Sequence, residues 1–239
     1  MTGLGDAVYK DSWLTGNSCT DQMNKPTLSI DYTPNYWGIC PDCPDRVKNF
    51  YGAEWSKQLK LMVIFRNPTD RVRSWFSHFQ AAQDINPWVL EGLESIKKSE
   101  DGCEDPSVFE NEGAAQTICN SVYAIAFSRW IELFAPEQLL VLSFTNFIEK
   151  PGETLKAIGE HMGLTPNVEY SSITQAAHAN TADHHLEHAP EGFNDEMNDE
   201  VTALLDEFFE PYNIQLKALF LTSGVKYMPS DDAKNPVIY

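Results

Sequence analysis

Hydrophobic and polar positions alternate between two rhythms along this chain. Three short apolar runs, PTLSID (26–31), KLMVIFR (60–66) and QLLVLSF (138–144), are bounded by turn residues or charges and read as buried strands. Helical spacing follows each of the later runs. Val72, Trp75, Phe76 and Phe79 share one face, as do Ile118, Val122, Ile125, Ala126, Trp130 and Leu133, and as do Leu155, Ile158 and Met162. A last amphipathic helix begins near Asn198, gathers Val201, Leu204, Leu205 and Phe208, and should break or kink at Pro211. Strand alternating with helix predicts an α/β fold, a parallel sheet flanked by helices.

Residues 84–113 interrupt this rhythm. They are acidic, carry Pro87 and Pro106, and are too long for a tight connection, so they are expected as an insertion over one end of the sheet. The tail 227–239 is expected to be loosely held. The chain of 239 residues then reads as a single domain with its core at about 27–220. Its formal charge of −18 repels nucleic acid, anionic lipid and sulfated polysaccharide, so an anionic ligand needs a local basic pocket. No apolar run is long enough to span a bilayer, and the N-terminus lacks the basic start and apolar stretch of a signal peptide. Five cysteines are too few and too irregular to indicate a disulfide framework.

The chemistry concentrates at the second apolar run. In a parallel α/β sheet ligands sit beyond the carboxyl ends of the strands, and Arg66 stands at such an end. Asn67 and Pro68 make the turn, Thr69 is placed to cap the next helix, and the free N–H groups of that helix start would stand beside the guanidinium. Ser74, eight residues on and off the core face, brings a hydroxyl to the same place. The competing reading pairs Arg66 with Asp70 and leaves Ser74 on a solvated helix; His78, one turn further, is either a phosphate donor or a solvated residue. Asp31 at the end of the first run is the candidate general base, against a role as a turn residue before Thr33 and Pro34. HHLEH (184–188) has two histidines at i, i+4 but no further ligand group, and CPDC (40–43) has no partner pair, so no metal is expected.

The stretch LMVIFRNPTDRVRSWFSHF resembles the 3′-phosphate segment of the sulfotransferases that use 3′-phosphoadenosine 5′-phosphosulfate, above all the carbohydrate type related to heparan sulfate sulfotransferases. SIDYTPNYW resembles the strand and [KR]-[ST]-P-x-Y segment of that family. SVYAIAFSRWIELFAPEQLLVLSFTNFIEKPGETLKAIGEHMGL and LLDEFFEPYNIQLKALF resemble its downstream elements in the same order. The resemblance implies a P-loop NTPase-like fold and transfer of a sulfuryl group to a hydroxyl or amine of a carbohydrate or small molecule. It also implies that Arg66 and Ser74 hold the 3′-phosphate of the donor nucleotide, with no metal. A polyanionic acceptor would approach against the charge of −18, so a neutral, cationic or small one is expected.

The chain departs from the family in several respects: it has Tyr32 where a basic residue precedes Thr33 and Pro34, NTADHHLEHAPEG in place of the basic loop before the last helix, no match to the family's general base, and no glycine-rich G-x-x-K-[SAG]-G-T-[ST] loop for the 5′-phosphosulfate. It therefore reads as an N-terminally truncated version of the fold, with little activity expected from these residues alone, because that lysine would offset charge on the leaving oxygen. The alternative is a noncatalytic nucleotide-binding or interaction domain. The expected compartment is the Golgi lumen if an anchor precedes this chain, and the cytoplasm otherwise.

Overall fold

The computed structural model describes residue 31 and residues 42–110, 113–164 and 189–227. The chain divides after Pro34, and every element named here belongs to the unit Asn35–Tyr239. The expected first strand lies outside the described residues except for Asp31, which is in no strand.

Helix α1 (Cys43–Trp55) starts with Pro44 in its first turn and kinks at Gly52, whose φ of 72° suits glycine. Strand β1 (Leu61–Phe65) leads into α2 (Pro68–Phe79), and α3 (Ile85–Lys98) follows. Next come the short α4 (Ala114–Cys119) and α5 (Tyr123–Leu133), strand β2 (Leu139–Ser143), α6 (Phe144–Glu149) and α7 (Pro151–His161). The long α8 (Asp199–Ser223) and strand β3 (Lys226–Tyr227) complete the order.

The sheet runs β1-β2-β3, all parallel. Leu61 to Phe65 pair in register with Leu139 to Ser143, and Leu140 and Val141 pair with Lys226 and Tyr227. Central β2 is buried along its whole length, as its unbroken LLVLS pattern suits a strand covered on both faces. Strand β3 is the element the sequence did not suggest: Lys226 and Tyr227, the second of them read as the start of a loose tail, are drawn into the sheet after Gly224 turns the chain at φ 71°.

Two core clusters hold the helices. One joins Phe65, Phe127, Leu139, Val141, Leu216 and Phe220 around the sheet. The other joins Val72, Phe76, Ile85, Val89, Ile118, Leu205 and Phe209. The acidic segment 84–113 supplies much of the second cluster: α3 buries Ile85, Trp88, Val89 and Ile96, so the expected covering insertion is here part of the core. Its charges lie on the outer face, which is why composition suggested a loop.

Two helix expectations change. The face read from Ile118 to Leu133 is split at Asn120–Val122 into α4 and α5, and Phe127, not Ile125, is fully buried. Ser121 turns its hydroxyl onto the Thr117 carbonyl at 3.1 Å, a local bond that competes with helix continuation. Helix α8 continues past Pro211 and is 25 residues long. Glu207, Glu210 and Pro211 are exposed, so the carbonyl that loses its helix donor is on a face open to solvent, while Val201, Leu205, Phe209, Leu216 and Phe220 bury the opposite face. Leu204 stays exposed, and Phe208 is only half-buried.

Candidate active site

Strand β1 ends at Phe65, so Arg66 is the first residue beyond the sheet edge. Its guanidinium carbon lies 4.9 Å from the ring centroid of Phe144, the first residue beyond β2, a cation–π contact that fixes the side chain without neutralising it. Beneath it, Tyr123 is buried, stacks on Phe65 at 4.5 Å and hydrogen-bonds the Arg66 backbone. Burial pushes the Tyr123 hydroxyl above its ordinary pKa, with the nearby charges of Arg71 and Arg66 pulling the other way.

Helix α2 is capped by Asn67 and not, as the sequence suggested, by Thr69. The Asn67 side chain accepts from the Asp70 N–H at 3.1 Å, and the Asn67 carbonyl accepts from the Arg71 N–H at 2.9 Å. Thr69 is buried and donates its hydroxyl to Asp206 of α8 at 2.6 Å, tying the head of α2 to the long helix. Pro68 has no N–H, so at most the Thr69 N–H remains for a ligand. The helix start thus offers fewer free donors than expected, and the capacity for an anion rests on side chains.

Those side chains meet. Arg66, Arg71, Ser74, Trp75, His78 and Phe79 line an open cleft of about 270 Å³. Arg66, the residue after β1, adjoins the sheet, and the other five are carried by α2. Trp75, which stacks on Trp88 at 6.0 Å and leans on Phe79 at 4.7 Å, carries the wall onward, and His78 meets the Phe79 ring edge-on at 4.6 Å. Phe79 is 59% exposed, so the stripe read as Val72, Trp75, Phe76 and Phe79 divides: Val72 and Phe76 face the core, Trp75 and Phe79 the cleft.

None of the ion pairs among the described residues includes Arg66, Arg71 or Asp70, which removes the pairing of Arg66 with Asp70 as the competing explanation. Asp31 is exposed. His184, His185, His188 and Cys40 lie outside the described residues, and among the described residues no group of three or more His, Cys, Asp or Glu is placed to hold a metal ion. Arg71 is the cleft residue that sequence reasoning missed. Its signal was present, since 71, 74, 75 and 78 follow the i, i+3, i+4, i+7 spacing of one helix face.

A parallel sheet that passes an arginine from a strand end to a serine-bearing helix face defines an α/β protein with a basic cleft beyond its strands. The model of the sulfotransferase domain family matches residues 47–210, more than half of the chain, and the chain belongs to that family. The family has a P-loop-like fold and takes its sulfuryl group from 3′-phosphoadenosine 5′-phosphosulfate. Among similar proteins, heparan sulfate glucosamine 3-O-sulfotransferase 5 of Homo sapiens is 26% identical over 145 residues, 59% of this chain and 37% of that protein. Bifunctional heparan sulfate N-deacetylase/N-sulfotransferase 1 of Mus musculus is 26% identical over 111 residues, 46% of this chain and 12% of that protein. The matches therefore span little more than a third of the first relative and an eighth of the second.

Proposed function

We propose that this chain serves a sulfotransferase that moves a sulfuryl group from 3′-phosphoadenosine 5′-phosphosulfate to a hydroxyl or amine of a carbohydrate or small molecule, with Arg66 and Ser74 holding the 3′-phosphate. The observation that carries this reading is the cleft: a guanidinium held by an aromatic ring, and by no carboxylate among the described residues, shares it with an exposed serine. The residues fit the nucleotide's phosphate, since an exposed hydroxyl and an arginine that makes no hydrogen bond through its guanidinium among the described residues offer donors in reach of one anion. When bound, the donor supplies the activated sulfuryl group. The protein binds and orients it.

Two further features favour a particular setting. Trp75 and Phe79 present ring surface to the cleft, which suits the apolar face of a sugar or an aromatic acceptor better than a polyanion repelled by a charge of −18. Cys103 and Cys119 form a disulfide with Cα atoms 5.1 Å apart, and Cys43 is disulfide-bonded as well, which favours an oxidising compartment such as the Golgi lumen over the cytoplasm.

A charge-assisted hydrogen bond contributes about 1.5–3 kcal/mol, so Arg66→Ala should weaken adenosine 3′,5′-bisphosphate binding roughly 10- to 100-fold. Titration calorimetry on the two proteins measures it, and equal affinities would remove the assignment. Transfer of labelled sulfate to a panel of sugars, phenols and amines separates an enzyme from a noncatalytic nucleotide-binding domain. It should be run on this chain and on the chain joined to any upstream in-frame segment.

A further inference from the structure

We propose that Arg71 is a second arm of the anion site, a binding residue that makes the cleft selective for a 3′-phosphorylated nucleotide over one bearing only a 5′-phosphate. The inference rests on the 3′-phosphate reading given above and deepens it.

Arg71 shares the cleft with Arg66 and Ser74. Its Nη1 donates to the Ser121 hydroxyl at 2.9 Å and to the Thr117 carbonyl at 3.3 Å. Both acceptors are neutral, so they fix the guanidinium plane without offsetting its charge. Nε and Nη2 donate to nothing among the described residues and are left for a ligand. Had the arginine served the fold alone, a carboxylate partner would be expected for a half-buried cation.

The mount itself is rigid. Thr117 and Ser121 are each 1% exposed, and Ser121 closes on the Thr117 carbonyl at 3.1 Å. Between them Cys119 is bonded to Cys103, so the turn that carries the arginine's acceptors is covalently tied to the segment after α3. Behind the two arginines lies the buried Tyr123 hydroxyl, which feels the charge of both.

Charge balance gives the ligand. A phosphate monoester carries about −1.5 to −2 at pH 7, more than one guanidinium offsets. On a chain whose formal charge is −18, a lone Arg66 would capture a dianion against the field of the whole molecule, whereas two fixed guanidiniums match it. A nucleotide without the 3′-phosphate would leave the charge of both cleft arginines unmatched, which is the origin of the selectivity.

The test compares affinities for adenosine 3′,5′-bisphosphate and adenosine 5′-monophosphate by titration calorimetry in the full chain. Wild type should prefer the bisphosphate. Arg71→Ala should lower bisphosphate affinity about 10- to 100-fold and leave the monophosphate within about twofold, with Arg71→Lys intermediate because a point charge loses the forked geometry. Ser121→Ala, which acts through Arg71 as a positioning change, should reduce the preference several-fold with the thermal midpoint recorded alongside. An Arg71→Lys protein that melts like wild type and keeps its full preference overturns the proposal. So does an Arg71→Ala protein in which both affinities fall together. The 3′-phosphate reading fails separately: if wild type shows no preference, or Arg66→Ala keeps it, that reading falls and Arg71's role falls with it.

Discussion

Asn67 shows how much of this site depends on one side chain. It stands between β1 and α2, accepts from the Asp70 N–H at 3.1 Å, and so starts the helix on which Arg71, Ser74, Trp75, His78 and Phe79 are carried. Its replacement by alanine should cost about 1 kcal/mol of stability, and by glycine only a few tenths, since glycine tolerates a cap position that alanine does not. Urea denaturation of the two variants checks the order. If alanine and glycine cost the same, the cap is not what Asn67 contributes. The motif R-N-P-T-D-R-V-R-S made Arg66 and Ser74 legible because strand end and helix start are local events. Phe144 and Tyr123, which hold Arg66 from distant points in the chain, gave no such signal, for their part depends on which strand lies beside β1.

Helices α3 and α4 meet at a glycine. A Cβ built at Gly92 would fall 2.6 Å from the Ala114 Cβ and 2.9 Å from the Ala114 backbone carbon, and that backbone cannot give way cheaply. Gly92→Ala should therefore destabilise the protein, by about 1–3 kcal/mol of overpacking less the roughly 1 kcal/mol that alanine gains as a helix former. Denaturant titration gives the sign, and a variant as stable as wild type would mean that the two helices can move apart. The same packing shows why segment 84–113 was misjudged. Ile85, Trp88, Val89 and Ile96 keep a helical spacing, but the surrounding acidic residues and two prolines masked it. The split between α4 and α5 was equally hidden, because Ile118, Val122, Ile125 and Trp130 fit one helical face, while the break shows in the backbone bonds of Ser121, Val122 and Tyr123 and in the Ser121 hydroxyl bond.

Across the molecule as a whole, pH acts through His161. Burial, and after it the charge of Lys60, hold its pKa below the ordinary value of 6.5, and its Nε2 lies buried without a hydrogen-bond partner among the described residues. In the unfolded chain the imidazole binds a proton more readily than in the folded one. The stabilisation is then present above pH 6.5 and lost as the pH falls through the lower folded value. Stability from chemical denaturation should fall as the pH drops from about 7 to 5, and more gently in His161→Leu than in wild type. Parallel slopes in the two proteins would exclude His161 as the source. The disulfide between Cys103 and Cys119 acts on the same whole-molecule level, closing the turn behind Arg71, and its spacing of 16 residues carried no sign of it in the sequence.

What the sequence determined by itself was whatever depends on neighbours in the chain. The two apolar runs became β1 and β2 because an unbroken apolar run favours a parallel sheet, although only β2 is buried throughout while Met62 and Ile64 of β1 are exposed, and the arginine, turn and serine that follow β1 are set by the strand end and the helix period. Tertiary structure alone decided the rest. It drew Lys226 and Tyr227 into a third strand and let Pro211 pass through α8 on an exposed face. It also assigned Thr69 to Asp206, and it supplied Arg71 with neutral acceptors from a disulfide-tied turn 46 and 50 residues away. Each of these outcomes depends on which groups meet when distant segments pack. A residue's own flanking sequence carries no record of the carbonyl, carboxylate or ring it will face, and burial there changes the free energy of a contact by as much as the local preference it overrides.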